Sequence, residues 1–165
     1  MLDEEELMEI CLAEARAAWT QDEVPVGALV ADEKGAIVAR AHNMTRTLTN
    51  PSAHAEMLAI EHAAHIRGNY RLTGCTLFVT MEPCMMCAGA IMEARLARLV
   101  FGCYDEKRGA FGSVIDANLL PLNHKVAVTG GVLKDDAASL LRQFFSLRRG
   151  TEVAITGPTR NRLYV

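Results

Sequence analysis

An apolar run over residues 75–81 ends at Pro83, and Cys84-Met85-Met86-Cys87 opens an Ala-, Met- and Ile-rich stretch that continues to about Ala94. The run alternates enough to be a strand. Proline stops it, having no N–H for a ladder, and the stretch beyond has the composition of a buried helix. A chain with this junction must turn sharply from sheet into helix. It also places two thiols, spaced i, i+3, on one face of the helix start. The unpaired N–H groups and positive dipole end found there favour thiolate over thiol.

The flanking sequence supplies the rest of a layered domain. Asp3 and Glu6 have the spacing of a capping box, and Leu7, Ile10, Cys11, Ala15, Ala18 and Trp19 recur at helical spacing behind them. Residues 26–31 and 36–41 flank Asp32-Glu33-Lys34-Gly35 and predict a hairpin. After a polar loop over 42–52, a helix is expected to start near Asn50-Pro51-Ser52 and to run to about Ile66, before Gly68. Residues 98–103 and 126–129 predict two further strands. The segment 104–124, with Gly109, Gly112 and Pro121, is long enough for a functional loop. Ala137, Leu140, Leu141, Phe144, Phe145 and Leu147 predict a last helix ending at Arg148-Arg149-Gly150. Strands alternating with helices point to an α/β domain whose sheet is covered on both faces. The expected organisation of the 165 residues is one domain, 1–150, and a tail, 151–165.

Half the residues are hydrophobic and 22% are charged, which sets aside disordered and low-complexity classes. The net charge of -3 excludes a general polyanion binder, but its distribution is uneven. Residues 1–23 carry eight acids and one Arg, whereas residues 142–165 carry five Arg and one Glu. The acidic start is the opposite of a signal peptide, and no apolar run approaches the roughly 18 residues of a membrane span. A cytoplasmic protein is expected. Five cysteines, an odd count without a secretory signal, favour metal ligation or free thiols over a disulfide framework.

His54-Ala55-Glu56 and Pro83-Cys84-Met85-Met86-Cys87 together offer one imidazole and two thiolates, a ligand set that zinc takes. Three protein ligands leave a fourth position for water, the mark of catalytic zinc, whose pKa the metal lowers to about 7. Glu56 is then the natural proton shuttle. In mid-helix, side chains two residues apart diverge by about 200°. His54 and Glu56 can therefore share a site only at a helix start. The same residues admit other readings. Cys84 and Cys87 could form a redox dithiol, or the zinc could be structural, with Cys75, Cys103, Cys11, His42 or His124 as a fourth ligand. Neither gives Glu56 a role.

The H-A-E and P-C-x-x-C pair resembles the signature of the zinc-dependent deaminases of the cytidine deaminase superfamily. Glu23-Val24-Pro25-Val26-Gly27-Ala28, Asn43, Asn69-Tyr70-Arg71-Leu72, Glu82 through Ala90, and Asp105-x-Lys107-x-Gly109-Ala110-x-Gly112-Ser113 resemble its bacterial tRNA-specific adenosine deaminase family. Phe111 departs from the small residue of that pattern. The resemblance covers about residues 5–150. It implies a three-layer α/β/α cytidine-deaminase-like fold with a mixed five-stranded sheet, a homodimer, and hydrolysis of the wobble adenosine of an arginine tRNA anticodon to inosine. It also implies one zinc per subunit on His54, Cys84 and Cys87, and proton transfer by Glu56. Asn43 would contact the flipped nucleoside, and Asp105 and Lys107 would neighbour the anticodon loop.

Arg142, Phe145, Arg148 and Arg149 on the last helix combine cationic and aromatic side chains, suitable for phosphate and base contacts with an RNA loop. The same residues read equally as core phenylalanine and solvated arginines. Two other functions fit the metal chemistry: deamination of guanine or another small nucleobase or nucleoside, and a non-catalytic, zinc-stabilised RNA-binding module. Free cytidine deaminases typically carry Cys where His54 stands. Guanine deaminases keep H-A-E, so the segment 105–113 and the basic last helix argue for tRNA.

Overall fold

The computed structural model describes residues 1–156, with side chains to Arg149. Helix α1 (Glu4–Thr20) opens with the predicted capping box: Glu6 N–H donates to the Asp3 carboxylate and Asp3 N–H to the Glu6 carboxylate, each at 2.8 Å. Strands β1 (Gly27–Ala31) and β2 (Ile37–His42) form the hairpin. Asp32 closes its turn by accepting the N–H groups of Lys34 and Ala36 at 2.9 Å. Then follow α2 (Ala55–Arg67), β3 (Thr76–Met81), α3 (Met85–Glu93), β4 (Arg98–Cys103), a short 3-10 turn (Ala117–Leu119), β5 (Ala127–Gly130) and α4 (Lys134–Thr156).

The sheet order is β2-β1-β3-β4-β5, with β1 antiparallel to both neighbours and β3, β4 and β5 mutually parallel. It is the mixed five-stranded sheet expected. Strand side chains alternate between faces. Ala28, Val30, Leu77, Val79, Leu99 and Phe101 pack with Leu58, Ala59, Ala63 and Ile91 of α2 and α3. Leu29, Ala31, Phe78 and Val100 pack with Leu7, Met8 and Cys11 of α1. Ala137 and Leu141 join Leu12 and Cys103, which puts α4 beside α1 on that second face. Three layers result, α/β/α. At Gly27 the first strand meets α1 so closely that a Cβ would collide with the Cys11 carbonyl and stand 2.7 Å from the Ala15 nitrogen.

Three boundaries differ from the sequence expectation. Helix α2 starts at Ala55, with His54 as its N-cap residue, instead of near residues 50–52. Asn50 accepts the Ser52 N–H at 3.0 Å and the Ser52 hydroxyl at 2.8 Å, a local turn that competes with helix. Helix α4 passes the expected stop at Gly150 and runs to Thr156. One glycine costs a helix only about 1 kcal/mol, and no proline follows at once to enforce a stop. The predicted tail thus begins inside α4, and residues 157–165 lie outside the described residues. Val126, expected to start the last strand, is buried with its N–H held by the Asn118 side chain at 3.0 Å, so β5 begins one residue later.

Candidate zinc and active site

Two helix starts face each other. His54 is the N-cap residue of α2 and Cys84 that of α3, and neither side chain caps its own helix. Each is therefore available to a partner across the gap. The Cys84 and Cys87 sulfurs lie 3.6 and 3.5 Å from Nδ1 of His54, and the three donor atoms lie within 4.8 Å of one another. A tetrahedron with bonds of about 2.2 Å has edges of about 3.6 Å, so both sulfur–imidazole edges have the length that zinc demands. One imidazole and two sulfurs are the matching donor chemistry.

Helix geometry settles the convergence question. His54 is outside the helix proper, so the mid-helix divergence of positions two apart does not apply. Glu56, in the first turn of α2, is 4% exposed, and its carboxylate neighbours His54, Cys84 and the Cys87 thiol. Its Oε2 is buried without a hydrogen-bond partner. That orphaned acceptor, beside a metal-sized triangle, fits a site completed by zinc and water. The electrostatics agree. The Cys87 thiol, the His54 imidazole and the Cys87 backbone N–H together push Cys84 down to about 3, against its own burial. Cys87 is pushed up by the same hydrogen bond and by burial, so the proton of the pair sits there. Hydrogen bonding to Cys84 holds His54 up, and burial holds the Glu56 carboxyl above the usual carboxylate range.

Among the described residues, these three are the one group placed to hold a metal. The alternative fourth ligands are engaged elsewhere. His42 bonds Glu14 and Gln21, His124 bonds the Leu96 carbonyl at 2.7 Å, Cys75 accepts from Arg67, and Cys11 and Cys103 are core residues of the opposite face.

The remaining predicted residues fall in three settings. Asn43 is 7% exposed, directly after β2, with its N–H on the Val26 carbonyl at 3.0 Å. Asp105, half-buried, accepts the N–H groups of Lys107 and Arg108 at 3.1 Å, while the Lys107 side chain is exposed. On α4, Arg142 and Arg149 are exposed, but Phe145 packs against the Leu12-Leu141 cluster and Arg148 binds Asp22. The cationic and aromatic face read from sequence is thus divided between solvent and packing.

Two buried carboxylates lie outside the site residues predicted from sequence, although both sit in its motifs, Glu23 through Ala28 and Glu82 through Ala90. Glu82, 2% exposed at the end of β3, accepts the N–H groups of Asp105, Phe111 and Ser113 at 3.2, 3.1 and 3.2 Å, and also the Ser113 hydroxyl. It folds the 105–113 loop over the start of α3, where Ala110 N–H donates to the Pro83 carbonyl at 2.9 Å. Gly109 is required there, because a Cβ would collide with the Glu82 carboxylate. Phe111, bulkier than the small residue expected there, turns inward and joins the core. Glu23, fully buried, clamps the Arg46 N–H at 2.8 and 3.2 Å and so fixes the loop between Asn43 and His54. The available signal is an acid one or two residues before a proline at the edge of an apolar strand. Replacing Glu82 by Gln turns an NH2 toward backbone donors and is expected to lower stability by roughly 1–3 kcal/mol. Hydrogen exchange should show the loss of protection concentrated in residues 105–113, not spread over the sheet.

A metal triangle at two helix starts, a buried carboxylate beside it and a mixed sheet between helices define a zinc-dependent deaminase: the chain belongs to the cytidine and deoxycytidylate deaminase family, whose zinc-binding region it matches over residues 1–103. Within that family it is similar to the tRNA-specific adenosine deaminase of Bacillus subtilis, 42% identical over 158 residues, 93% of this chain and 96% of the relative. A solved tRNA:A34 deaminase, from work on A-to-I editing at the wobble position of transfer RNA, superposes with a TM-score of 0.80 at 42% identity. That match covers 82% of this chain and 98% of the other. The guanine deaminase of Nitrosomonas europaea superposes with a TM-score of 0.74 at 27% identity, over 88% and 86% of the two chains.

Proposed function

We propose that this protein hydrolyses adenosine to inosine at the wobble position of the arginine tRNA anticodon, with zinc held by His54, Cys84 and Cys87. The observation that carries the chemistry is the buried, unpartnered Oε2 of Glu56 beside that triangle. Zinc, when bound, supplies a nucleophile at neutral pH by lowering the pKa of water to about 7. Glu56 does the rest of the proton work. It takes one proton from the attacking water, delivers it to N1 of the purine as C6 becomes tetrahedral, and then serves the departing amine, so that adenosine and water give inosine and ammonia. Burial holds its carboxyl above the usual range, which suits a group that must give a proton back as well as take it.

The closed, non-catalytic zinc module is disfavoured, since no fourth protein ligand stands near the triangle among the described residues. Substrate choice rests on the relatives and on position. Asn43, in the loop directly after β2, contacts the flipped nucleoside. Asp105 shapes the loop that carries Lys107 towards the anticodon, and Arg142 and Arg149 offer phosphate contacts. Phe145 and Arg148 support that surface from beneath. The deaminase unit is residues 1–150, working in the cytoplasm; among the described residues no helix is long and apolar enough to cross a membrane. Exposed Met85, Met86, Val114, Ile115, Leu119 and Leu122, on α3 and the loop packed beside its start, are the apolar surface for a homodimer.

Incubating the zinc-loaded protein with arginine tRNA, free adenosine, guanine and cytidine, and measuring ammonia and inosine, tests the reading. Inosine in the tRNA and little product from the small molecules is expected. Product from guanine alone would end the tRNA reading.

A further inference from the structure

We infer that Asp22 is a positioning residue that latches the C-terminal helix to the loop between Asn43 and His54, so that the RNA-facing helix and the nucleoside-facing loop are held in one register. The inference rests on the tRNA reading above. Asp22 follows α1 in the left-handed region, φ 61°, where a residue with a Cβ is uncommon and Asp is among the best tolerated. This turn presents two acceptors to two arginines. The Asp22 carbonyl accepts from Arg148 at 2.9 Å and from Arg46 at 3.3 Å. Its carboxylate accepts from Arg46 at 2.9 Å through one oxygen and from Arg148 through the other.

The two arginines come from the two surfaces that substrate binding needs. Arg46 lies in the segment that joins Asn43 to His54, and the Met44 N–H closes that segment on the Ala53 carbonyl at 3.0 Å. With its own N–H on Glu23 and its guanidinium on Asp22, Arg46 fixes the loop from two sides. Arg148 lies on α4, between exposed Arg142 and Arg149. Its guanidinium also stands 4.9 Å over the Phe144 ring, which meets Trp19 of α1 edge-on at 5.4 Å. One exposed ion pair would do little in water; an acid shared by two guanidiniums, each with a second bond to the same carbonyl, is a network joining three elements. It orders the loop before substrate arrives, so its loss is felt in binding and not in the chemical step.

The test is a double-mutant cycle on Asp22 and Arg148, read as kcat and KM for an arginine tRNA anticodon stem-loop, with thermal midpoint and zinc content as controls. Asp22→Ala and Arg148→Ala are each expected to raise KM about fivefold with kcat unchanged within twofold. The double variant should be no worse than either single one. Arg148→Lys, which keeps the charge on a single donor nitrogen, should recover part of the loss. If Asp22→Ala fails to fold, Asp22→Asn with Arg148→Gln runs the same cycle. Effects that multiply in the double variant would overturn the latch, since Arg148 would then act on RNA independently of Asp22. A lower KM in Asp22→Ala would overturn it too, because the acid would then merely repel phosphate. An active wild type with either result removes the latch alone. A wild type that makes no inosine in the stem-loop removes the tRNA reading with it.

Discussion

Replacing Glu56 by Gln is expected to lower inosine formation by roughly 10² to 10⁴ while leaving zinc in place, because general acid–base catalysis is worth about that much and this side chain serves more than one step. The substitution keeps the volume of a buried group and removes only its ability to carry a proton. Glu56 contributes no ligand atom to the triangle, so metal content should match the wild type. Oε2 has no hydrogen-bond partner to lose, so the fold should hold its thermal midpoint or gain slightly as a buried titratable group is replaced by a neutral one. The decisive comparison is kcat against KM. A group that acts in the transition state lowers kcat and kcat/KM together, whereas a group that merely shapes the pocket raises KM. Near-normal inosine formation by zinc-loaded Glu56→Gln would remove the proton-shuttle role.

The legibility of this protein in its sequence follows the range of the interactions concerned. Cys84 and Cys87 sit three apart at a strand-to-helix junction that Pro83 announces, and the capping box of Asp3 and Glu6 is closed within three residues. Local chemistry of this kind is written in local spacing. The start of α2 departs from the sequence expectation for a related reason. Asn50 and Ser52 carry the residue types of a helix cap, but they satisfy each other in a turn first, and the cap position falls to His54, a residue type that seldom caps. That displacement is what lets His54 and Glu56 share a site.

The rest was hidden by distance along the chain. Glu82 folds a loop whose donors lie 23 to 31 residues on, all but one of them backbone N–H groups, which any residue but proline supplies. No residue type marks them. Asp22, which accepts from Arg148, lies 126 residues away, so residue type alone leaves this arginine open to RNA or to solvent, and only the fold turns it toward Asp22. Residue type alone leaves Phe145 open to core or RNA, and only the packing of α4 against α1 places it in a cluster. The uneven charge keeps its meaning in a narrower form. With Arg148 turned to Asp22, the exposed positive charge of the described part of α4 rests on Lys134 at its start and on Arg142 and Arg149, which suits a binder of one particular loop over a general polyanion surface.

Removing the zinc is expected to abolish deamination and also to loosen the fold around the two helix starts. A ligand that binds only the folded state stabilises it by RT ln(1 + [L]/Kd), about 4 kcal/mol when free zinc exceeds Kd a thousandfold. For a chain of this length that corresponds to a fall in thermal midpoint of roughly 8–16 °C on chelation. The individual ligands separate metal binding from packing. His54→Ala and Cys87→Ala each delete one corner of the triangle and should leave the protein with little zinc and no inosine formation, at a midpoint close to that of the chelated wild type. Cys75→Ala is the control, because Cys75 is a buried thiol that accepts from Arg67 and lies outside the triangle. It should keep one zinc per chain and full activity, with at most a small loss of stability. Cys87 also fills space at the start of α3, so its loss alone could destabilise. Adding a chelator to Cys87→Ala tells the two effects apart: if its midpoint falls further, a metal was still bound, and retention of stoichiometric zinc with activity in that variant would exclude Cys87 as a ligand.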